Sequence, residues 1–186
     1  MATLVYSAIT SLDGFVADRD GRFDWSMPDE EVHAAVNDLH RGIGTYLYGR
    51  RLYDVMVAWE SMDTTDEPHA VRDYADLWRA AHKVVYSTTL TEPRSARTQV
   101  EPAFDPEAVR RLLASSAHDV LIGGPHLAGQ AFRAGLVGEV HLFVSPVIVG
   151  GGIRALPRDV RLDLDLAGVR QFAGGVAHLH HRVRAA

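Results

Sequence analysis

The sequence predicts an α/β fold, a mixed and mostly parallel sheet of about eight strands with helices on both faces. Two observations carry this. From Leu4 to about Ala134, strand-like and helix-like patterns alternate, which requires parallel strands joined by right-handed crossovers. Beyond Gly135 the pattern turns wholly to β, with tight glycine-rich connections, and this adds an antiparallel edge. At 186 residues the chain fits one domain, spanning 1–186, with a core that needs no staple.

Leu4 to Thr10 is apolar and β-branched and reads as a buried first strand. Ser11-Leu12-Asp13-Gly14 ends it, and a polar loop runs on to about Met27. Pro28-Asp29-Glu30-Glu31 has the proline and the acids of a helix start, and Val32, Val36 and Leu39 follow at helical spacing. Thr45 to Tyr48 is a short strand closed by Gly49, and Arg50 to Val57 opens a further helix. His69 to Ala81 is helical, with Val71, Tyr74, Ala75 and Trp78 on one face. Lys83 to Tyr86 is a strand, Pro106 to Ser115 a helix, Val120 to Ile122 a strand and Pro125 to Ala134 a helix. The closing strands are expected over Glu139 to Val149, Arg161 to Leu166 and Val176 to Val183.

Composition excludes several classes. A formal net charge of -5 argues against nucleic acid as the main partner. The absence of cysteine removes disulfides, thiolate catalysis and Cys-based zinc sites. No apolar run approaches the roughly 20 residues that cross a bilayer. Met1 to Tyr6 lacks the pattern of a secretion signal, so a soluble, cytoplasmic protein is expected. Arg50-Arg51 and the Arg94–Arg97 segment are local basic spots, suited to a small anionic ligand.

In open α/β sheets ligands bind beyond the carboxyl ends of the strands. Four segments fall at such ends: Ser11 to Gly14, Gly49 to Tyr53, Ser87-Thr88 and Gly123-Gly124. In the last, a buried strand turns through glycines into a helix opened by Pro125, which leaves backbone N–H groups for a phosphate. The same glycines would also serve an ordinary strand-to-helix turn. The forked donors of Arg50 and Arg51 match phosphate oxygens, although paired arginines are also common on solvated surfaces. Ser87 and Thr88, with Arg94 and Arg97 nearby, make a pocket for a phosphomonoester or, more plainly, a turn or helix cap. Together these segments specify a dinucleotide with an extra phosphate.

The ordered set Ala8-Ile9, Ser11-Leu12-Asp13-Gly14, Trp25-Ser26-Met27-Pro28-Asp29-Glu30, Gly49-Arg50-Arg51-Leu52-Tyr53, Ser87-Thr88 and Ile122-Gly123-Gly124…Gln130 resembles the dihydrofolate reductase superfamily. It is most similar to the reductase domain of the bifunctional deaminase/reductase of riboflavin biosynthesis, whose C-terminal signature resembles Glu139 to Gly152. The resemblance covers nearly the whole chain. It implies a three-layer α/β/α sandwich and an NADPH-dependent reductase acting on a C=N or C=O bond of a small heterocyclic or ribosylamino-pyrimidine substrate. It also implies site roles. Gly49, Arg50, Arg51 and Leu52 would face the NADPH phosphates, and Ser87 and Thr88 the 2′-phosphate. Ile122, Gly123 and Gly124 would bring backbone to the pyrophosphate, with Pro125, His126 and Leu127 at the helix start and Gln130 near the adenine. Ala8, Ile9 and the Ser11, Asp13, Gly14 loop would line the nicotinamide side. A homodimer through the C-terminal strands and a lid over residues 11–27 complete the expectation.

Two departures bear on the substrate. The folate enzymes carry an acid after the Trp-x-Leu-Pro segment, where this chain has Glu30, with Asp29 as the alternative; both also fit a plain helix first turn. The riboflavin branch places an acid after its glycine pair, where this chain has Pro125-His126. Dihydrofolate reduction and a non-catalytic or flavin-binding module on the same scaffold are the competing readings. Among ten histidines, His178 and His180 share one strand face, with His181 beside them. No HExxH pattern or further ligand accompanies them, so no metal site is expected. Ser11 and Ser87 lack a base partner and there is no Gly-x-Ser-x-Gly elbow, which disfavours a hydrolase.

Overall fold

Strand β1, Leu4–Ser11, lies inside the sheet, and its residues alternate between two apolar layers: Leu4 and Tyr6 enter one core and Val5 the other. The computed structural model describes residues 1–184. In chain order its elements are β2 (Phe15–Ala17), α1 (Glu30–His40), β3 (Ile43–Gly49), α2 (Arg50–Met56), α3 (Ala58–Ser61), α4 (His69–Ala80), β4 (His82–Tyr86), β5 (Thr98–Glu101), α5 (Pro106–Ser115), β6 (Asp119–Gly123), α6 (Pro125–Arg133), β7 (Glu139–Ser145), β8 (Ile153–Arg154), β9 (Leu164–Gln171) and β10 (Ala177–Val183).

Eight strands form one sheet in the order β5-β4-β3-β6-β1-β7-β10-β9, and β2 and β8 form a separate ribbon. The pairs from β5 to β7 are parallel, while β10 runs antiparallel to both β7 and β9. This is the mostly parallel sheet with an antiparallel edge that the residue pattern predicts. Helices α5 and α6 cover one face through Val109, Leu113, Leu127, Ala128 and Phe132. On the other, Tyr53 of α2, Tyr74 and Trp78 of α4, and Val36 and Leu39 of α1 pack against Tyr46, Tyr48, Val85 and Leu121. The three layers follow from this segregation.

The differences from the expected elements have local causes. β5 is a polar Thr-Gln-Val-Glu segment on the sheet edge, with no apolar alternation to reveal it. β7 stops at Ser145 rather than Val149, because Pro146 has no N–H for the ladder. β9 starts at Leu164, opposite Val183 where β10 ends, and runs to Gln171 instead of covering Arg161 to Leu166. The expected loop from Ser11 to Met27 contains β2, which pairs with β8 through Phe15↔Arg154 and Ala17↔Ile153. Helix α1 starts at Glu30, not Pro28, because the Asp29 side chain caps it by accepting from the Val32 N–H at 2.8 Å.

The pairing of β10 with β7 sets His180 opposite His141 and Arg182 opposite Glu139. The strand face shared by His178 and His180 therefore also carries Glu139 and His141, side chains that the sequence reading does not bring there.

Candidate active site

Because β1, β3, β4 and β6 are parallel, their carboxyl ends lie along one edge of the sheet. A cavity of about 840 Å³ opens at this edge, bordered by Ala8 and Ile9 of β1, by Gly49, Arg50, Arg51 and Leu52, and by Gly123, Gly124, Pro125, His126 and Leu127. Its size is that of ordinary ligand pockets, about 300–1,000 Å³. A Cβ placed on Gly123 would stand 2.6 Å from Leu52 Cδ2 and 3.1 Å from the Tyr48 ring, so only glycine lets the two walls meet. Gly124 has φ +85°, the left-handed region, and caps α6 without any side-chain hydrogen bond. Gly49 caps α2 in the same bare fashion, and its Cβ would lie 3.9 Å from Leu127 Cβ. Two helix starts without a side-chain cap thus border one cavity, an arrangement that suits an anion.

Basic side chains gather beside them. Arg50 Nε donates to Asp54 Oδ2 at 2.9 Å and its Nη1 donates to Thr89 Oγ1 at 3.2 Å, while Arg94 pairs with the same Asp54 carboxylate. The Arg94 N–H donates to the Tyr53 hydroxyl at 2.8 Å, and that hydroxyl meets Ser95 Oγ at 2.9 Å. Asp54 and Tyr53 therefore dock the loop after β4 onto α2. Two guanidinium groups on one carboxylate leave this corner positive, and exposed Arg51 on the cavity wall adds to it. The role of Asp54 went unread in the sequence, although its i,i+4 spacing from Arg50 was there to be used.

Other expected site residues sit outside the cavity lining. Ser87 Oγ accepts from the Thr89 and Leu90 N–H groups at 3.1 and 2.9 Å, so its hydroxyl closes a turn, and Thr88 is exposed next to it. Gln130 is exposed on α6, and Ile122 is fully buried in the core between the sheet and α5–α6. Ser11 Oγ accepts from the Phe15 N–H at 3.0 Å. Asp13 accepts from the Val149 and Gly150 N–H groups at 3.2 and 2.8 Å, and the Gly14 carbonyl accepts from Ala155. The Ser11 hydroxyl, then these two amides, hold the Asp13 carboxyl below its usual range. The Ser11–Gly14 turn thus locks β1 to the Gly150–Ala155 segment, and the cavity wall above Ala8 and Ile9 is made by Val16, Ala17, Gly21, Phe23 and Ser26.

Neither acid of the first turn of α1 borders the cavity: Asp29 is its cap and Glu30 is exposed. No carboxylate among the described residues lines it. On the α1–α4 side His40 and Tyr74 reach the cavity, two residues the sequence reading did not select. His40 Nδ1 lies 2.9 Å from the Tyr46 hydroxyl, and burial, helped by His33 and His141, pushes its pKa down from 6.5 to about 3. That part of the cavity is aromatic and uncharged.

This sheet order, with a groove across its carboxyl edge, defines a protein of the dihydrofolate reductase fold, with the architecture of the RibD-like reductase domains. Residues 2–178 match the family model described as the RibD C-terminal domain, and the chain belongs to that family. It is 28% identical over 183 residues to the uncharacterized protein YyaP of Bacillus subtilis, covering 95% of this chain and 92% of that one. It is 30% identical over 156 residues to the riboflavin biosynthesis protein RibD of Mycobacterium tuberculosis, 79% of this chain but only 43% of that protein. Among solved structures, a putative riboflavin biosynthesis protein from Shewanella superposes over 100% of both chains with a TM-score of 0.77 at 20% identity. A pyrimidine reductase-like protein from Corynebacterium diphtheriae gives a TM-score of 0.72 at 15% identity, over 100% of this chain and 93% of that one.

Proposed function

We propose that the protein is an NADPH-dependent reductase of the riboflavin-pathway type, reducing a C=N or C=O bond of a small heterocyclic or ribosylamino-pyrimidine substrate. Membership of the RibD C-terminal domain family supports a reductase. The observation that carries the cofactor is the pair of helix starts without side-chain caps at Gly49 and Gly124 on one cavity, with Arg50 and Arg51 on its wall and Arg94 sharing Asp54 with Arg50. Bound there, NADPH supplies the hydride. The residues of the chain bind and orient it. N–H groups of α2 and α6 would meet the pyrophosphate, and the arginine corner with Ser87, Thr88 and Thr89 would hold the 2′-phosphate. Ala8 and Ile9 would flank the nicotinamide, and the 11–27 segment, anchored at Ser11–Gly14, would cover the site through Val16, Ala17, Gly21, Phe23 and Ser26. Because neither Glu30 nor Asp29 borders the cavity, neither is proposed as the donor of the proton that completes the reduction.

Fluorescence titration tests the cofactor. NADPH should bind about 10- to 100-fold more tightly than NADH, the value of one or two charge-assisted hydrogen bonds. Arg50→Ala should erase most of that preference; equal affinity for both cofactors in the unaltered protein would overturn the reading. A homodimer across β9, whose Leu166 and Val169 are 61% and 62% exposed, belongs to the same proposal. Light scattering at micromolar concentration should return twice the chain mass. No helix among the described residues is long and apolar enough to cross a membrane, and we assign the reaction to the cytoplasm.

A further inference from the structure

We propose that Glu139, His141 and His180 bind one divalent late first-row transition-metal ion, zinc or a cation of the same preference, which clips β10 onto β7. Antiparallel register places the three side chains on one face of adjacent strands, beside the Phe143–Phe172 cluster under α1. One ligand-type atom from each lies within 4.8 Å of the others. Both imidazoles present Nε2 to the same oxygen, Glu139 Oε2, His180 at 2.8 Å and His141 at 3.4 Å, and their rings stack with centroids 4.0 Å apart.

The longer distance is the informative one. Good N–H···O hydrogen bonds span about 2.7–3.2 Å, so a hydrogen-bonded ladder alone leaves His141 Nε2 poorly served. Two ligands each about 2.0–2.1 Å from a tetrahedral zinc ion stand about 3.3 Å apart, close to the 3.4 Å between His141 Nε2 and Glu139 Oε2, whereas His180 Nε2, at 2.8 Å, has to draw back slightly to admit the ion. The surroundings fit the same assignment. His178 Nε2 lies 3.0 Å from His141 Nδ1, and Arg182 Nε approaches Glu139 Oε1 at 3.4 Å as a charge contact, longer than a good hydrogen bond, so both neighbours stand at atoms the ion would not use. An outer partner on the second ring nitrogen is what orients a ligating histidine. Exposure leaves a way in: the His141 side chain is 7% exposed, against 21% for His180 and 25% for Glu139. Two nitrogens and one oxygen select zinc, nickel, copper or cobalt over magnesium and calcium, which prefer all-oxygen sets. A water completes the fourth position on the solvent side.

The site is independent of the reductase reading, and its test needs no turnover. Tag-free protein, stripped with a chelator, is titrated with Co²⁺ and then Zn²⁺. One Co²⁺ per chain should bind with the visible absorption of a four- or five-coordinate complex, one Zn²⁺ should displace it, and Mg²⁺ should not. Glu139→Gln and His180→Gln should each weaken Zn²⁺ by about 100-fold and the outer-shell change His178→Ala by about 10-fold. His181→Ala, on the opposite strand face, should leave affinity unchanged. Circular dichroism confirms that each variant is folded before titration. Absence of one-to-one uptake at micromolar Co²⁺, or Zn²⁺ affinity unaltered in both Glu139→Gln and His180→Gln, overturns the proposal.

Discussion

At Gly123 a hydrogen atom does the work that any side chain would undo. Leu52 Cδ2 and the buried Tyr48 ring occupy the space a methyl would need, so Gly123→Ala should destabilise the fold by about 1–3 kcal/mol, the usual range for overpacking. Leu52 also lines the cavity, and its displacement should weaken the NADPH binding proposed for that cavity as well. A urea melt and a cofactor titration on one variant check both. Glu30 behaves in the opposite way. It is exposed and away from the cavity, so Glu30→Gln should retain reductase turnover within about twofold, since surface changes of this kind rarely exceed about 0.5 kcal/mol. The strand–glycine–glycine–proline run at 120–125 was legible in sequence because every part of its signal is local. Asp54 and His40 were harder to read. Each matters through what another element sets beside it: Arg94 from the loop after β4 in one case, Tyr46 of β3 in the other.

Among the elements, α1 shows how a residue can be well placed for one task and absent from another. Asp29 caps the helix and lies close to Gly174, where a Cβ would stand 2.5 Å from its Oδ2. Asp29→Ala should cost about 0.5–2 kcal/mol through the lost cap, seen as a lower urea midpoint with an unchanged slope. Long, periodic or capped elements such as α4 and α5 were readable almost to the residue. Short polar strands were not. β5 becomes a strand only because β4 offers it an edge, and β2 only because β8 returns from more than a hundred residues away. The Glu139–His141–His180 cluster escaped for the same reason, since single-strand periodicity does not report which residue stands opposite.

The whole molecule responds to pH through a group buried in its interior. His40 titrates near 6.5 when unfolded and near 3 when folded, so between those values the unfolded chain binds the additional proton. The stability this histidine contributes is complete above pH 6.5 and declines as pH falls toward 3. The melting temperature should therefore drop from pH 7 to pH 5, and His40→Gln should lessen that drop without abolishing it, because burial also lowers the pKa of His33 and His141.

The position of β1 has a consequence for how the protein is made. Within this sheet it is the first strand in chain order, yet Leu4 pairs with Val120 and Val5 with Glu139, so both neighbours are synthesised far later. Until β6 emerges, the nascent chain holds β3, β4 and the edge strand β5, with an unclosed gap where the centre of the sheet belongs. Such non-local closure is slow, in the millisecond-to-second range for domains dominated by distant pairings, and it favours aggregation when interrupted. A ribosome stalled before residue 119 would therefore carry a chain with three strands, β3, β4 and β5, able to pair and the first still waiting.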